Sequence, residues 1–344
     1  MKTFRFSLVA LVATALFTAC TNEVVVESKP ISGAQEISFR LQGGTPETRT
    51  TATTNLNIDA FVVYGADDVT TAASANLFDS VTVARQSDDV FDYNPKKYYS
   101  IGAATASFFA YSPVSANISS FTNVDPLANA SFDYEVKVPD ATGNTVQEDL
   151  LVAGTNLTGS PTLTSGTVNL DFTHALSRIF VKATNALSEN IVITGLALKN
   201  LNSTGTIIGT PAATWTWAWT GHGGVKDYNY ILAPTGVAVQ AGTGVSAAPN
   251  NVPILVTSME QGMMVLPQTT LGDANANGTL DAGEFALEVT YNVANLTNQK
   301  KLVFVPYTFV ANNQYAITIA FAGTDLIEIN FTVDVLPFIP IVNI

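Results

Sequence analysis

The densest set of possible metal ligands in this chain is the segment Asp273-Ala274-Asn275-Ala276-Asn277-Gly278-Thr279-Leu280-Asp281-Ala282-Gly283-Glu284. A hard cation such as Ca2+ takes six to eight oxygens, and the EF-type loop supplies them at fixed positions around a glycine at the sharp turn. Here Asp273, Asn275, Asn277 and Asp281 would offer side-chain oxygens, Thr279 its carbonyl and Glu284 two carboxylate oxygens. The residues that follow, Phe285-Ala286-Leu287-Glu288-Val289, read as a strand and not a helix. The expectation is therefore a structural calcium loop set into a strand connection. An Asn/Gly/Asp-rich turn without metal is the open alternative.

A second reactive position is Cys20, the only cysteine. Lys2 and Arg5 precede an apolar run from Phe6 to Phe17, and the small residues Thr18 and Ala19 lead into Cys20. The run has the polarity and length of a secretory signal and is too short for a membrane span. Phe17-Thr18-Ala19-Cys20 then reads as a lipobox, with Cys20 the acylated first residue of the exported protein; an unpaired thiol in a discarded signal is the alternative. Several acyl chains, at about 0.8 kcal/mol per buried CH2, would anchor it stably to a membrane. With Cys20 committed to lipid, the chain has no thiol pair for a disulfide.

Other candidates carry less chemistry. Trp215, Trp217 and Trp219 would share one face of a strand over Thr214 to Thr220. They would form either a sugar-binding platform or, the preferred reading, part of a core. His174 and His222 are the only histidines and lie far apart. No GxSxG, HExxH or phosphate-binding glycine loop is present, so the sequence argues against an enzyme.

The elements that must position these residues are β-strands. Leu56, Ile58, Ala60, Val62 and Tyr64 alternate with a second face, and so do the residues from Thr105 to Tyr111. Period-two patterns rich in Val, Ile, Thr, Tyr and Phe are the strand signal. Clusters such as Gly43-Gly44-Thr45-Pro46, Gly159-Ser160-Pro161 and Ala247 to Asn251 mark turns. His174 to Lys182 favours strand over helix because of Ile179-Phe180-Val181. Of 344 residues, 47% are hydrophobic and only 12% charged, which supports a large core and disfavours disorder. The net charge is −13, more negative still once Lys2 and Arg5 leave with the signal, so nucleic acid is an unsuitable partner. The expected organisation is an all-β protein with two β-sandwich domains in tandem. The expected segments are a signal peptide at 1–19, a tether at 20–33, an N-terminal sandwich at 34–163 and a C-terminal sandwich at 164–344.

The two ends of the exported chain have a further pattern. Glu36 to Leu41 reads as a short first strand with Ile37, Phe39 and Leu41 on one face. It is followed by a Gly/Pro loop that carries Arg49. At the other end Ile327, Ile329, Phe331, Val333 and Val335 alternate with polar or small residues, and the segment 327–344 is the candidate donor strand. A first strand that can be cut away, and a last strand able to replace it in a neighbour, is the logic of a self-polymerising subunit.

Several motifs then resemble the fimbrillin, or type V pilin, family of the Bacteroidales. They are Gln147-Glu148-Asp149-Leu150-Leu151-Val152-Ala153, Val168 to Ile179 with its Asp171-Phe172-Thr173-His174, and Tyr98 to Pro113 with its Phe108-Phe109-Ala110-Tyr111-Ser112-Pro113. Val265-Leu266-Pro267-Gln268 and Asn312 to Ile319 complete the set. The resemblance implies a lipoprotein precursor with two transthyretin-like β-sandwiches. It implies that an arginine-specific surface protease cuts after Arg49 to remove the first strand, and that another pilin subunit refills the groove. Arg40 is the rival cut site, protected if it lies in a paired strand. A solvated loop charge is the alternative role for Arg49. A non-polymerising outer-membrane lipoprotein, either a pilus anchor or a carbohydrate-binding module, is the alternative function. The Pro-broken stretch Leu336 to Ile344 departs from the family pattern, because proline cannot donate a ladder hydrogen bond.

Overall fold

The computed structural model describes residues 35–41, 58–68, 77–87, 90–123, 129–139, 147–158, 166–212, 214–242, 254–257, 262–322 and 328–337. Among them every regular element is a strand. In chain order these are β1 (Ser38–Leu41), β2 (Ala60–Asp67), β3 (Phe78–Ser87), β4 (Val90–Asp92), β5 (Thr105–Ser112), β6 (Ile118–Asn123), β7 (Ala130–Glu135) and β8 (Leu151–Thr158). Next come β9 (Thr167–Leu170), β10 (Thr173–His174), β11 (Ser177–Asn185), β12 (Ile191–Leu201), β13 (Thr204–Thr210), β14 (Thr216–Gly223), β15 (Lys226–Tyr230) and β16 (Val237–Val239). The last are β17 (Ile254–Leu255), β18 (Met263–Val265), β19 (Gln268–Thr269), β20 (Ala286–Val293), β21 (Leu296–Phe304), β22 (Thr308–Phe309), β23 (Asn313–Ala322) and β24 (Glu328–Pro337). The expected all-β class and the strand reading of His174 to Lys182 agree with this.

An eight-stranded sheet, ordered β10-β8-β5-β2-β3-β4-β1-β9, forms the first half. Its far strand β9 returns beside β8, so the sheet curls around a core of its own. That core is built from Ile37, Phe39, Phe61, Val63, Phe78, Phe91, Tyr93, Phe108, Val168, Leu170 and Phe172, among others. The opposite faces of the same strands are also covered. Val62, Tyr64, Phe109, Tyr111 and Val152 belong to a second and larger core, capped by the four-stranded sheet β14-β13-β7-β6. Tyr111 packs on Phe132 of that cap with ring centroids 5.9 Å apart. The alternation read at Val62 and Phe109 is therefore real, but both faces are apolar because each meets a different core.

The second half is a sandwich. One sheet holds β17-β11-β23-β24, with β18 also on β11. The other holds β15-β12-β20-β21, with β16 also on β12. Ile179, Val181, Ile317, Ile319 and Phe321 from the first meet Ile191, Ile193, Leu198, Leu287 and Val289 from the second. The larger core runs on from this sandwich to the outer face of the first sheet, so the two halves share one continuous interior. The strands on either side of the expected division at 163/164 also interleave. β9 and β10 complete the eight-stranded sheet, whereas the β13–β14 hairpin pairs with β7.

Candidate functional site

The first strand lies inside its sheet. β1 runs parallel to β9 over Ser38↔Thr167 to Leu41↔Leu170 and antiparallel to β4 at Phe39↔Phe91. Just before it, Glu36 bridges Tyr98, the Ile37 amide donates to the Lys97 carbonyl at 3.0 Å, and the Ser38 amide donates to the Gly166 carbonyl at 3.0 Å. Gly166 has φ +68°, and a Cβ there would stand 2.2 Å from the Glu36 carbonyl, so only glycine lets β9 turn in beneath this strand.

Alternation then sorts its side chains. Ile37, Phe39 and Leu41 are buried, whereas Arg40 is exposed. The Phe39 ring sits edge-on to four others: Phe78 at 5.2 Å, Phe61 and Tyr93 at 5.8 Å, and Phe108 at 5.9 Å. Such contacts add to the burial energy, and these four rings come from four separate segments. The Tyr93 hydroxyl donates to the Ile37 carbonyl at 2.6 Å. Burial pushes that hydroxyl up to about 12, so it remains a donor at any physiological pH. Outside, Lys96 pairs with Glu36 at 3.0 Å and with Asp92. Its pKa is raised, chiefly by the hydrogen bond to Asp92, with Glu36 adding to this against the opposing cost of desolvation. Three buried apolar side chains on so short a strand contribute on the order of 5–9 kcal/mol gross.

The other end of the chain forms an edge. β24 pairs antiparallel with β23, with Phe321↔Ile329, Ile319↔Phe331, Ile317↔Val333 and Tyr315↔Val335 in register. The even-numbered residues Thr332 and Asp334 are exposed, Val333 packs partly on the core, and Val335 is 53% exposed. Among the described residues no strand pairs with the other edge of β24. The strand continues through Leu336 to Pro337, opposite Asn313. Ile327 of the expected donor set lies outside the described residues, as do Cys20 and Arg49. The chain passes from β1 to β2 through residues 42–57, which include Arg49.

The loop from Asp273 to Glu284 closes on itself. Asp273 accepts from the Asn277 amide at 3.0 Å and the Gly278 amide at 2.8 Å. Glu284, buried, accepts from Ala274 and Asp281 amides, each at 2.9 Å. The side-chain amides of Asn275 and Asn277 donate to Asp281 at 2.7 and 3.0 Å. Asn277 accepts from the Thr279 hydroxyl at 2.7 Å. The carboxylates of Asp273, Asp281 and Glu284 thus accept hydrogen bonds from within the loop. Among the described residues, no three acidic, His or Cys side chains converge on one point.

The tryptophans turn inward. Trp215 is buried over Gly154, where a Cβ would fall 2.2 Å from its ring, and its Nε1 donates to Asn156. Trp217 lies over Gly209, and Trp219 Nε1 donates to the Ala175 carbonyl at 2.8 Å. They pack against core, with Trp215 buried and Trp217 and Trp219 partly exposed. His174 is a structural partner of Asp149 at 2.6 Å, and His222 donates to the Pro267 carbonyl at 2.8 Å. Sequence reasoning missed Gln147. Its side chain bonds Lys137 and both backbone groups of Met264, tying the first half to β18. The only sign of this in the sequence is its place at the head of the Gln147 to Ala153 motif.

Comparison with known families gives a match to a fimbrillin-like family over residues 48–334. Among solved structures, a fimbrial protein from Bacteroides vulgatus superposes with a TM-score of 0.58 at 14% identity, covering 88% of this chain and 99% of its own. A candidate cell adhesion protein from Bacteroides ovatus gives a TM-score of 0.51 at 14% identity, covering 89% and 98%. At these identities the likeness is one of fold. Comparison with curated proteins gives no match.

Proposed function

We infer, for a chain that belongs to the fimbrillin-like family, a structural role as a subunit of a surface fimbria, exported as a lipoprotein through Cys20. Cleavage after Arg49 by an arginine-specific protease would free β1, and the last strand of another subunit would take its place. The observation that carries this reading is the seat of β1. It is an interior strand, hydrogen-bonded on both sides and packed into a separate aromatic core. Its covalent tie to β2 runs through residues 42–57, which include Arg49. A cut there, with β1 lost, leaves backbone donors and acceptors of β4 and β9 unpaired beside an apolar trough. A strand added to such an edge restores both kinds of contact. Five apolar side chains, at roughly 1.5–3 kcal/mol each, give on the order of 10 kcal/mol gross before ordering costs. The edge position of β24 and the part-exposed Val333 and Val335 suit a strand that leaves its own hairpin.

Arg40 is a poor target for the same protease. Its side chain is exposed, but its backbone is paired with β9 opposite Asn169, in a strand that also pairs with β4 at the preceding residue, and proteases need an extended, unpaired segment. The inward-turned tryptophans weigh against the carbohydrate-module alternative.

The test replaces Phe331 by Asp, which would put a carboxylate in an apolar trough. Cleaved wild-type chain should form heat-resistant ladders on a gel, and the variant should form none while keeping a β-rich circular dichroism spectrum. A folded variant that makes full ladders would exclude the tail as donor.

The loop at Asp273 to Glu284 is proposed to hold Ca2+ through Asp273, Asn275, Asn277, Thr279, Asp281 and Glu284. Turning the Asn275 and Asn277 amides would present oxygens in place of the nitrogens that now meet Asp281. A ligand bound by the folded state alone raises the melting temperature with its concentration. Millimolar calcium should therefore raise the melting temperature relative to excess chelator, and Asp273→Ala should remove the difference. Identical curves for the wild-type chain would reduce the loop to a turn.

A further inference from the structure

Two hexapeptides at opposite ends of this chain match position by position. Glu36-Ile37-Ser38-Phe39-Arg40-Leu41 ends in β1, and Glu328-Ile329-Asn330-Phe331-Thr332-Val333 opens β24. Glu, Ile and Phe recur unchanged, Leu is answered by Val, and the two intervening positions are polar in both. Every matched position has a defined task in β1. Glu36 reaches Lys96, Ile37 and Leu41 fill the core, and Phe39 enters the socket of Phe61, Phe78, Tyr93 and Phe108. Ser38 meets Thr167 at 3.1 Å, and Arg40 stands opposite Asn169.

We propose that the slot of β1 is filled by the tail of a second copy of this chain, seated with Phe331 in the place of Phe39. The proposal rests on the strand-exchange reading and adds to it the partner and the register. In this register Ile329 replaces Ile37, Val333 replaces Leu41, and Glu328 comes opposite Lys96 after Glu36 has left. Asn330 takes the position beside Thr167 and Thr332 the position beside Asn169. Ile327 and Val335 then extend the same apolar face beyond the six matched positions. The tail thus carries two more apolar side chains along the same face than β1 does, which favours exchange once the cut is made. A slip of one residue would turn every side chain to the wrong face. A slip of two would move Phe331 out of the aromatic socket and carry Glu328 roughly 6–7 Å from Lys96.

Cysteine pairs read the register directly. In a Cys20→Ser chain, Asn169→Cys is combined with Thr332→Cys, with Asn330→Cys or with Asp334→Cys. Residues directly opposite on neighbouring strands are close enough for a disulfide, and a two-residue offset puts the Cα atoms beyond roughly 7 Å, where a bridge does not form. Each purified chain is cut with an arginine-specific protease, allowed to assemble and oxidised. The expected result is disulfide-linked ladders with Thr332→Cys, none with the other two, and none before cleavage, while Arg40 occupies the position. Crosslinks through Asn330→Cys or Asp334→Cys in place of Thr332→Cys would overturn the register and leave strand exchange standing. Heat-resistant ladders with no crosslink in any pair would put another segment in the slot and overturn the proposal. If this chain alone forms no ladders, yet fimbriae from cells contain it cut at Arg49, the second-copy partner is wrong and exchange with a different subunit remains.

Discussion

Replacing Phe39 by alanine lowers the stability of the uncut chain by about 3–5 kcal/mol, the usual cost of emptying a phenylalanine site in a well-packed core. The ring is 4% exposed and lies against four aromatic neighbours that come from separate strands and a loop. Phe61, Phe78 and Phe108 are held by their sheet positions and Tyr93 directly follows β4, so the neighbours cannot collapse far into the space. The midpoint of denaturant unfolding should fall with little change in slope, since the folded surface is unchanged. Arg40→Ala, one residue on but facing solvent, should stay within about 0.5 kcal/mol of the wild type. The loss should also vanish after processing. Polymers grown from cut Phe39→Ala chains should melt like wild-type polymers, because the residue has left with β1. Equal unfolding midpoints for the two uncut chains would mean that β1 is not held as described.

Much of this arrangement is legible in the sequence, because a strand declares itself by local alternation. β1, β2, β5, β11, β20 and β24 all coincide with segments whose apolar residues recur every second position. Pairing is different. Nothing local to Thr167 to Leu170 says that it will lie parallel to residues 38–41, and nothing local to β13 says that it will pair with β7. Such contacts join segments far apart in the chain, so the pairing of strands from either side of residue 163 is invisible to local alternation. The aromatic socket was hidden for the same reason, since Phe61, Phe78, Tyr93 and Phe108 are unremarkable where they stand. The tryptophans were better marked. Their spacing put them on one face, and Gly154, Gly205 and Gly209 supply the flat beds that their rings cover.

The largest effect concerns Arg49. If cleavage there is what empties the slot, Arg49→Ala should export normally and remain a folded, lipid-anchored monomer with β1 in place. It should form no ladders, because an incoming tail cannot displace a strand that is hydrogen-bonded on both sides and still tethered to β2. Added arginine-specific protease should restore assembly to the wild type only, since Arg40 is shielded by its pairing. A variant that assembles fully would show that β1 need not leave.

Sequencing the N-terminus of the subunit recovered from assembled surface fimbriae tests the exchange account most directly. The account predicts a chain that begins at Thr50, with residues 36–41 absent from the polymer. Assembled subunits that begin at acyl-Cys20 and still carry Ser38 to Leu41 would contradict it.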